Sequence, residues 1–173
     1  MIPNILTTIR LALVPVFAYF MLSGSTGVAV VLFVFSGITD IVDGYIARRF
    51  NMITNFGMIY DPFVDKLMQI TAVVCLVIRH TIPSWLLMFV MFKEVTMIIV
   101  GGILYIKKIV VRSSKFGKVA TVIFYAGVIL LIVWNSIPRF AMTAVIAVMI
   151  ISMLTAAVYY CFDTLKNYNE KRV

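Results

Sequence analysis

The chain has 173 residues, 63% of them hydrophobic, and a formal net charge of +8, with a mean hydropathy of +1.09. Soluble domains average about 45–50% apolar residues, so this composition argues against a water-soluble globule. It argues equally against a nucleic-acid binder, because the basic residues flank hydrophobic runs without interleaved aromatics. Membrane topology and anionic lipid head groups account for the charge instead.

Two runs, Leu11 to Thr39 and Phe140 to Phe162, contain no charged residue. A membrane span needs about 20 mainly apolar residues. The pattern predicts an all-α integral membrane protein with six transmembrane helices in a single domain, residues 1–173. Span 1 covers about Ile5 to Leu22, and Ser23 to Gly27 form a turn. Span 2 runs from Val28 to Ala47, followed by a polar connector from Arg48 to Asn55. Span 3 covers Phe56 to Ile78, and Arg79 to Ser84 form a short loop. Span 4 is Trp85 to Ile106, and Lys107 to Lys118 are a basic connector. Span 5 is Val119 to Trp134, with a turn from Asn135 to Pro138. Span 6 is Arg139 to Phe162, and a polar tail ends in Lys171 and Arg172. The opening lacks the basic stretch of a signal peptide and is expected to be retained. Cys75 and Cys161 read as small apolar core residues.

Lys and Arg in short loops set orientation. One side holds Arg10, Arg48, Arg49, Lys107, Lys108, Arg112, Lys115, Lys118, Lys166, Lys171 and Arg172, while the other holds Arg79 and Arg139. The bias places the first side, and both termini, in the cytoplasm.

The chain has seven acidic residues, and four of them, Asp40, Asp43, Asp61 and Asp65, fall between positions 40 and 65. Carboxylates are costly at bilayer depth and mark function when they occur there. Asp40 and Asp43 are spaced i, i+3 and Asp61 and Asp65 i, i+4, so each pair lies on one helix face. Spans 2 and 3 are joined by a short connector and are expected to be antiparallel neighbours with facing carboxylates. Such a hard oxygen donor set suits Mg²⁺, Mn²⁺ or Ca²⁺. The cluster contains no His or Cys, which disfavours zinc. Gly44, Ala47 and Gly57 are small enough for close approach of a helix or a ligand. Arg48 stands one turn past Gly44, as an interface anchor or a phosphate clamp. Pro62 can kink or open span 3.

Taken together, Asp40-x2-Asp43-Gly44-x2-Ala47-Arg48-x8-Gly57-x3-Asp61-x3-Asp65 matches every position of the signature of the CDP-alcohol phosphotransferases, and the chain resembles that family. The opening Ile2-Pro3-Asn4-Ile5-Leu6-Thr7-Thr8-Ile9-Arg10 is similar to the start of its phosphatidylglycerophosphate synthases and CMP-forming cardiolipin synthases. The resemblance implies the family's six-span fold, with the active site at the cytoplasmic ends of spans 2 and 3. It implies transfer of the phosphatidyl group of CDP-diacylglycerol to an alcohol, with release of CMP. Asp40, Asp43 and Asp61 would hold Mg²⁺ or Mn²⁺, as two ions, with Asp65 at the metal's edge as general base. Gly44, Ala47, Arg48 and Gly57, with the metal-binding aspartates, would line the CDP-lipid.

Glycerol 3-phosphate, the favoured acceptor, needs a second anion site, for which Arg10, Lys93, Arg112, Lys115 and Lys118 are candidates. The stretch from Arg112 to Lys118 has a plain alternative in topology and lipid contact, and Gly117-Lys118 resembles the synthases at this place. Lys93-Glu94 also reads as a structural ion pair. The synthases usually carry Arg where Lys93 stands, and the two are not equivalent. Phosphatidylglycerol, the cardiolipin-synthase acceptor, is the close alternative. A cation channel or transporter would need polar residues through the far halves of spans 2 and 3, which are apolar. A non-catalytic lipid-binding scaffold would be expected to have lost a motif aspartate. The expected setting is the bacterial cytoplasmic membrane. Members of the family commonly form homodimers, and nothing in the residues themselves points to one.

Overall fold

The structure, a computed structural model, describes residues 2–49, 57–106, 115–134 and 136–170. These residues form six α-helices and no strand: α1 (Ile2–Leu22), α2 (Thr26–Arg49), α3 (Gly57–Ile78), α4 (Ser84–Ile106), α5 (Lys115–Val133) and α6 (Arg139–Glu170). A backbone surrounded by apolar side chains must satisfy its own N–H and C=O groups, and a helix does so within one segment. The hydroxyls follow the same logic. Thr39, Thr96, Thr121 and Thr143 each donate to a carbonyl one turn back, at 2.8–3.1 Å, so they present no open donor to an apolar surrounding.

Helix ends depart from the hydropathy reading where charge begins. Lys115 to Lys118 belong to the first turn of α5 rather than to a connector, and α6 continues through the polar tail to Glu170. Lys and Glu are good helix formers, so the helices outlast their apolar stretches. Within α6, Arg139–Tyr160 is long and apolar enough to cross a membrane, the single such helix among the described residues. Leu6–Leu22, Thr26–Val42 and Gly117–Val133 are shorter apolar stretches.

Residue contacts gather into two units, Met1–Leu87 with Val128–Asn135 and Met88–Gly127 with Ser136–Val173. In the first unit α1 is the shared element. Among the described residues it packs along both α2 and α3, whereas α2 and α3 touch each other at a few positions. Spans 2 and 3 thus touch, as expected of helices joined by a short connector, while α1 is the larger packing partner of each. A short connector constrains the ends of two helices but not which third helix fills the groove between them. Phe17 of α1 and Phe33 of α2 are fully buried, with ring centroids 5.5 Å apart. Val64, Met68, Ala72 and Leu76 make the buried stripe of α3, at the i, i+4 spacing of one helix face.

The turn between α1 and α2 needs a left-handed residue, and Gly24 supplies it at φ 86° without a Cβ penalty. His80 takes the same region at φ 53° and closes α3. Its N–H donates to the Val77 carbonyl at 2.9 Å, and that of Thr81 to Leu76 at 3.0 Å, the paired bonds of a Schellman cap. Arg79 reaches back from this cap to Thr26 Oγ1 at 3.5 Å and Met21 Sδ at 3.7 Å. It thereby joins the end of α3 to the α1–α2 turn. α3 is helical through Pro62.

In the second unit α5 presents Gly127 to Met149 of α6. A Cβ at Gly127 would stand 2.5 Å from Met149 Sδ and 2.8 Å from its Cγ. The helices meet here because one residue has no side chain. Phe124, Ile146 and Met153 are buried beside this contact in sequence, while Phe140, Ile151 and Phe162 are exposed on α6. Every helix carries large exposed apolar side chains, among them Tyr19, Val31, Phe63, Phe92 and Val122. Surfaces of this kind suit lipid rather than water.

Candidate active site

Asp40 lies on α2, and Asp61 and Asp65 lie one turn apart on α3. Arg10 of α1 pairs with Asp40 and Thr7 of α1 bonds to Asp61, so side chains from three helices converge on one region. Each described carboxylate of the motif has a donor of its own. Arg10 of α1 forms an ion pair with Asp40 Oδ1 through Nη1. Thr7, one turn earlier on α1, donates its hydroxyl to Asp61 Oδ1. Gln69, one turn beyond Asp65 on α3, donates Nε2 to Asp65 Oδ2 at 2.8 Å. Lys66 Nζ is 3.4 Å from Gln69 Oε1 and 4.0 Å from Asp65 Oδ2, so it pairs locally.

Burial grades these groups. Thr7, Arg10 and Gln69 are 0%, 1% and 2% exposed, whereas the Asp40 side chain is 36% exposed and that of Asp65 14%. The donors are therefore interior, and the carboxylates stand between them and open space. Each donor bond uses one carboxylate oxygen. Partners of this kind orient metal-ligating carboxylates in known sites. The donor set is all oxygen, which fits a hard divalent cation and not zinc. Among the described residues, no group of three His, Cys, Asp or Glu side chains is arranged to hold a metal ion by itself.

The side chains of Asp43, Ala47 and Arg48 and the surroundings of Gly44 and Gly57 lie outside those described, although all five residues belong to α2 or α3. Of the acceptor candidates, Arg10 is directed at Asp40 and is almost wholly buried. Its ion pair with Asp40 is the one part of its role that the sequence did not point to, since Asp40 lies on another helix. Lys93 Nζ lies 2.6 Å from Glu94 Oε1, and Glu94 is buried, which is the ion pair weighed as the alternative. Lys118 is exposed in the first turn of α5. The side chain of Lys115 and all of Arg112 lie outside the described residues.

Thr7 and Gln69 escape a reading by motif, since neither is charged. A signal for both is nonetheless present. Gln69 stands four residues after Asp65 and Thr7 three before Arg10, spacings that bring helical side chains together.

A family model described as CDP-alcohol phosphatidyltransferase matches residues 1–159. The chain is 33% identical over 135 residues to a CDP-diacylglycerol–glycerol-3-phosphate 3-phosphatidyltransferase of Bacillus subtilis, covering 69% of this chain and 70% of that protein. It is 37% identical over 109 residues to a CMP-forming cardiolipin synthase of Streptomyces coelicolor, covering 60% of this chain and 51% of that protein. It is 35% identical over 106 residues to a fusion of CMP-forming cardiolipin synthase with a mitochondrial hydrolase in Schizosaccharomyces pombe, where the match spans 61% of this chain and 18% of the fusion. In the last two relatives the match spans less than two thirds of their length.

Proposed function

The chain belongs to the CDP-alcohol phosphatidyltransferase family, and on that premise we propose that it transfers the phosphatidyl group of CDP-diacylglycerol to glycerol 3-phosphate and releases CMP. The observation that carries this reading is that Arg10 and Thr7 of α1 meet Asp40 of α2 and Asp61 of α3, with Asp65 one turn beyond Asp61, inside the residues matched to the family. Enzymes of this family generally depend on a divalent metal. Asp40, Asp43 and Asp61 would hold Mg²⁺ or Mn²⁺, with Asp65 at its edge. When bound, the metal neutralises the diphosphate charge that otherwise opposes an incoming nucleophile.

The protein's own groups divide the remaining work. Gly44, Ala47, Arg48 and Gly57 line the CMP half of the CDP-lipid, and Arg48 meets its phosphates. Asp65, steadied by Gln69, takes the proton of the acceptor hydroxyl. The hydroxyl oxygen bonds to the phosphorus that carries the diacylglycerol. The bond from that phosphorus to the bridging oxygen breaks, and CMP leaves with that oxygen. Fixing the hydroxyl in line with this bond is the protein's main contribution. Lys118, with Arg112 and Lys115, meets the phosphate of the acceptor. Lys93 and Arg10 are assigned elsewhere, to Glu94 and Asp40.

The protein works from the cytoplasmic face of a bacterial membrane that its six helices span, both termini being cytoplasmic. Apolar side chains exposed on every helix and the Lys/Arg bias of the connectors support this topology. A second reading, a CMP-forming cardiolipin synthase that accepts phosphatidylglycerol, draws on the names of the Streptomyces and Schizosaccharomyces relatives. A channel or transporter is not favoured, because the matched family and these relatives are transferases.

A CMP-release assay tests the choice. Purified protein in detergent receives CDP-diacylglycerol and Mg²⁺ with glycerol 3-phosphate, with phosphatidylglycerol, or without acceptor. Release stimulated by glycerol 3-phosphate alone is expected, and it should stop on chelation. Stimulation by phosphatidylglycerol alone overturns the acceptor, and no CMP under any condition overturns the reaction.

A further inference from the structure

We infer that α1 carries the positioning residues of the reaction centre: Thr7 and Arg10 orient Asp61 and Asp40 for the divalent cation and take no part in holding the acceptor. This rests on the metal-dependent reading above and concerns residues that the motif does not contain.

Thr7 and Arg10 are spaced i, i+3, so they share one face of α1. Each reaches a different helix, Thr7 to α3 at Asp61 and Arg10 to α2 at Asp40. α1 packs along both of those helices, which themselves meet at a few positions. The two carboxylate arms are therefore registered through α1 rather than directly against each other. Burial supports the same division of labour. At 0% and 1% exposure, neither side chain offers a surface to a soluble acceptor, whereas an interior Arg beside a carboxylate is the usual form of a structural charge pair.

The chemistry of the two donors is complementary. A threonine hydroxyl is neutral, so it fixes the rotamer of Asp61 and leaves its charge in place for a cation. A guanidinium is a permanent cation. It offsets the charge of Asp40 among carboxylates whose repulsion would otherwise splay them before metal arrives. Removing partners of metal-ligating groups typically costs about 10–100-fold in metal affinity or activity.

The test uses the full chain in detergent and Mn²⁺ as the probe, with bound ion counted by electron paramagnetic resonance. Thr7→Val keeps the shape of Thr7 and removes its donor. It should weaken Mn²⁺ binding by about 10–100-fold while the KM for glycerol 3-phosphate stays unchanged. Thr7→Ser should restore binding, which a merely space-filling role for Thr7 would not require. Combined with Asp61→Asn, Thr7→Val should add no further loss, since residues acting through one contact are non-additive. Wild-type Mn²⁺ affinity in Thr7→Val, or no rescue by Ser, overturns the inference. If Thr7→Val does not yield a folded protein, Arg10→Lys decides. It keeps the charge but loses the planar fork, so Mn²⁺ binding should fall toward the lower end of about 10–100-fold with acceptor KM unchanged. A raised acceptor KM with unaltered Mn²⁺ binding would return Arg10 to the acceptor site. A wild-type protein that binds no Mn²⁺ removes the metal-dependent premise and this inference with it, an outcome distinct from a defect-free Thr7→Val.

Discussion

Asp40 and Asp65 are the same residue type held in two different ways. Asp40 pairs with the guanidinium of Arg10 from another helix, whereas Asp65 accepts from Gln69 and lies 4.0 Å from Lys66 Nζ, both on its own helix. Asp65→Asn keeps the size of the side chain and removes its ability to take a proton. Turnover should fall by about 10²–10⁴-fold, the usual contribution of a general base, while binding of CDP-diacylglycerol persists in an equilibrium assay. Retained turnover would move the base elsewhere. Lys118→Ala should raise the KM for glycerol 3-phosphate more than that for CDP-diacylglycerol, as separate substrate titrations would show. Asp40, Asp61 and Asp65 stood out in the sequence because a carboxylate in an apolar run has few structural explanations, and the side chain of Asp43 lies outside those described. Arg10 was visible as a charge, but its partner lies thirty positions away and no local pattern names it. Thr7 and Gln69 carried only the faint signal of helical spacing from Arg10 and Asp65, because a lone hydroxyl or amide in a helix is ordinary until its neighbour is known.

Helices make their own demands, and two junctions expose them. His80 holds a left-handed conformation that caps α3, which gives the sole histidine of the chain a structural duty. His80→Gly removes the Cβ conflict of that conformation and should stabilise the protein by up to about 1 kcal/mol, read as a rise in the thermal midpoint in detergent. Gly127 has the opposite character. Its φ lies outside the left-handed region, but Met149 occupies the place of a side chain. Gly127→Val should destabilise by about 1–3 kcal/mol, as overpacked contacts do, and lower the same midpoint. Six helices were legible from apolar runs and their turns, since an uninterrupted run of that length admits few alternatives. Their ends were not, because hydropathy stops at the first charge while backbone hydrogen bonding continues. Hence α5 begins at Lys115 and α6 runs on to Glu170. The place of α1 between α2 and α3 was likewise hidden, since hydropathy counts helices without saying which of them touch.

Across the whole molecule, the proposed topology makes a direct demand on labelling. Single cysteines introduced at Asn55 and Arg172, in a background with Cys75 and Cys161 replaced by Ala, should react with a membrane-impermeant thiol reagent only in inside-out vesicles. One introduced at Ser136 should react only from the opposite side. Labelling of Asn55 and Ser136 from one side would break the six-span arrangement. The Arg10–Asp40 pair has a further bearing on how such a protein is made. An arginine nine residues into an apolar helix is expensive to place in lipid alone, and its counter-charge lies on the helix synthesised next. On the proposed topology α1 would be an incomplete unit in lipid until α2 joins it, so the ion pair that readies the centre for chemistry would also hold this pair of helices together as they insert.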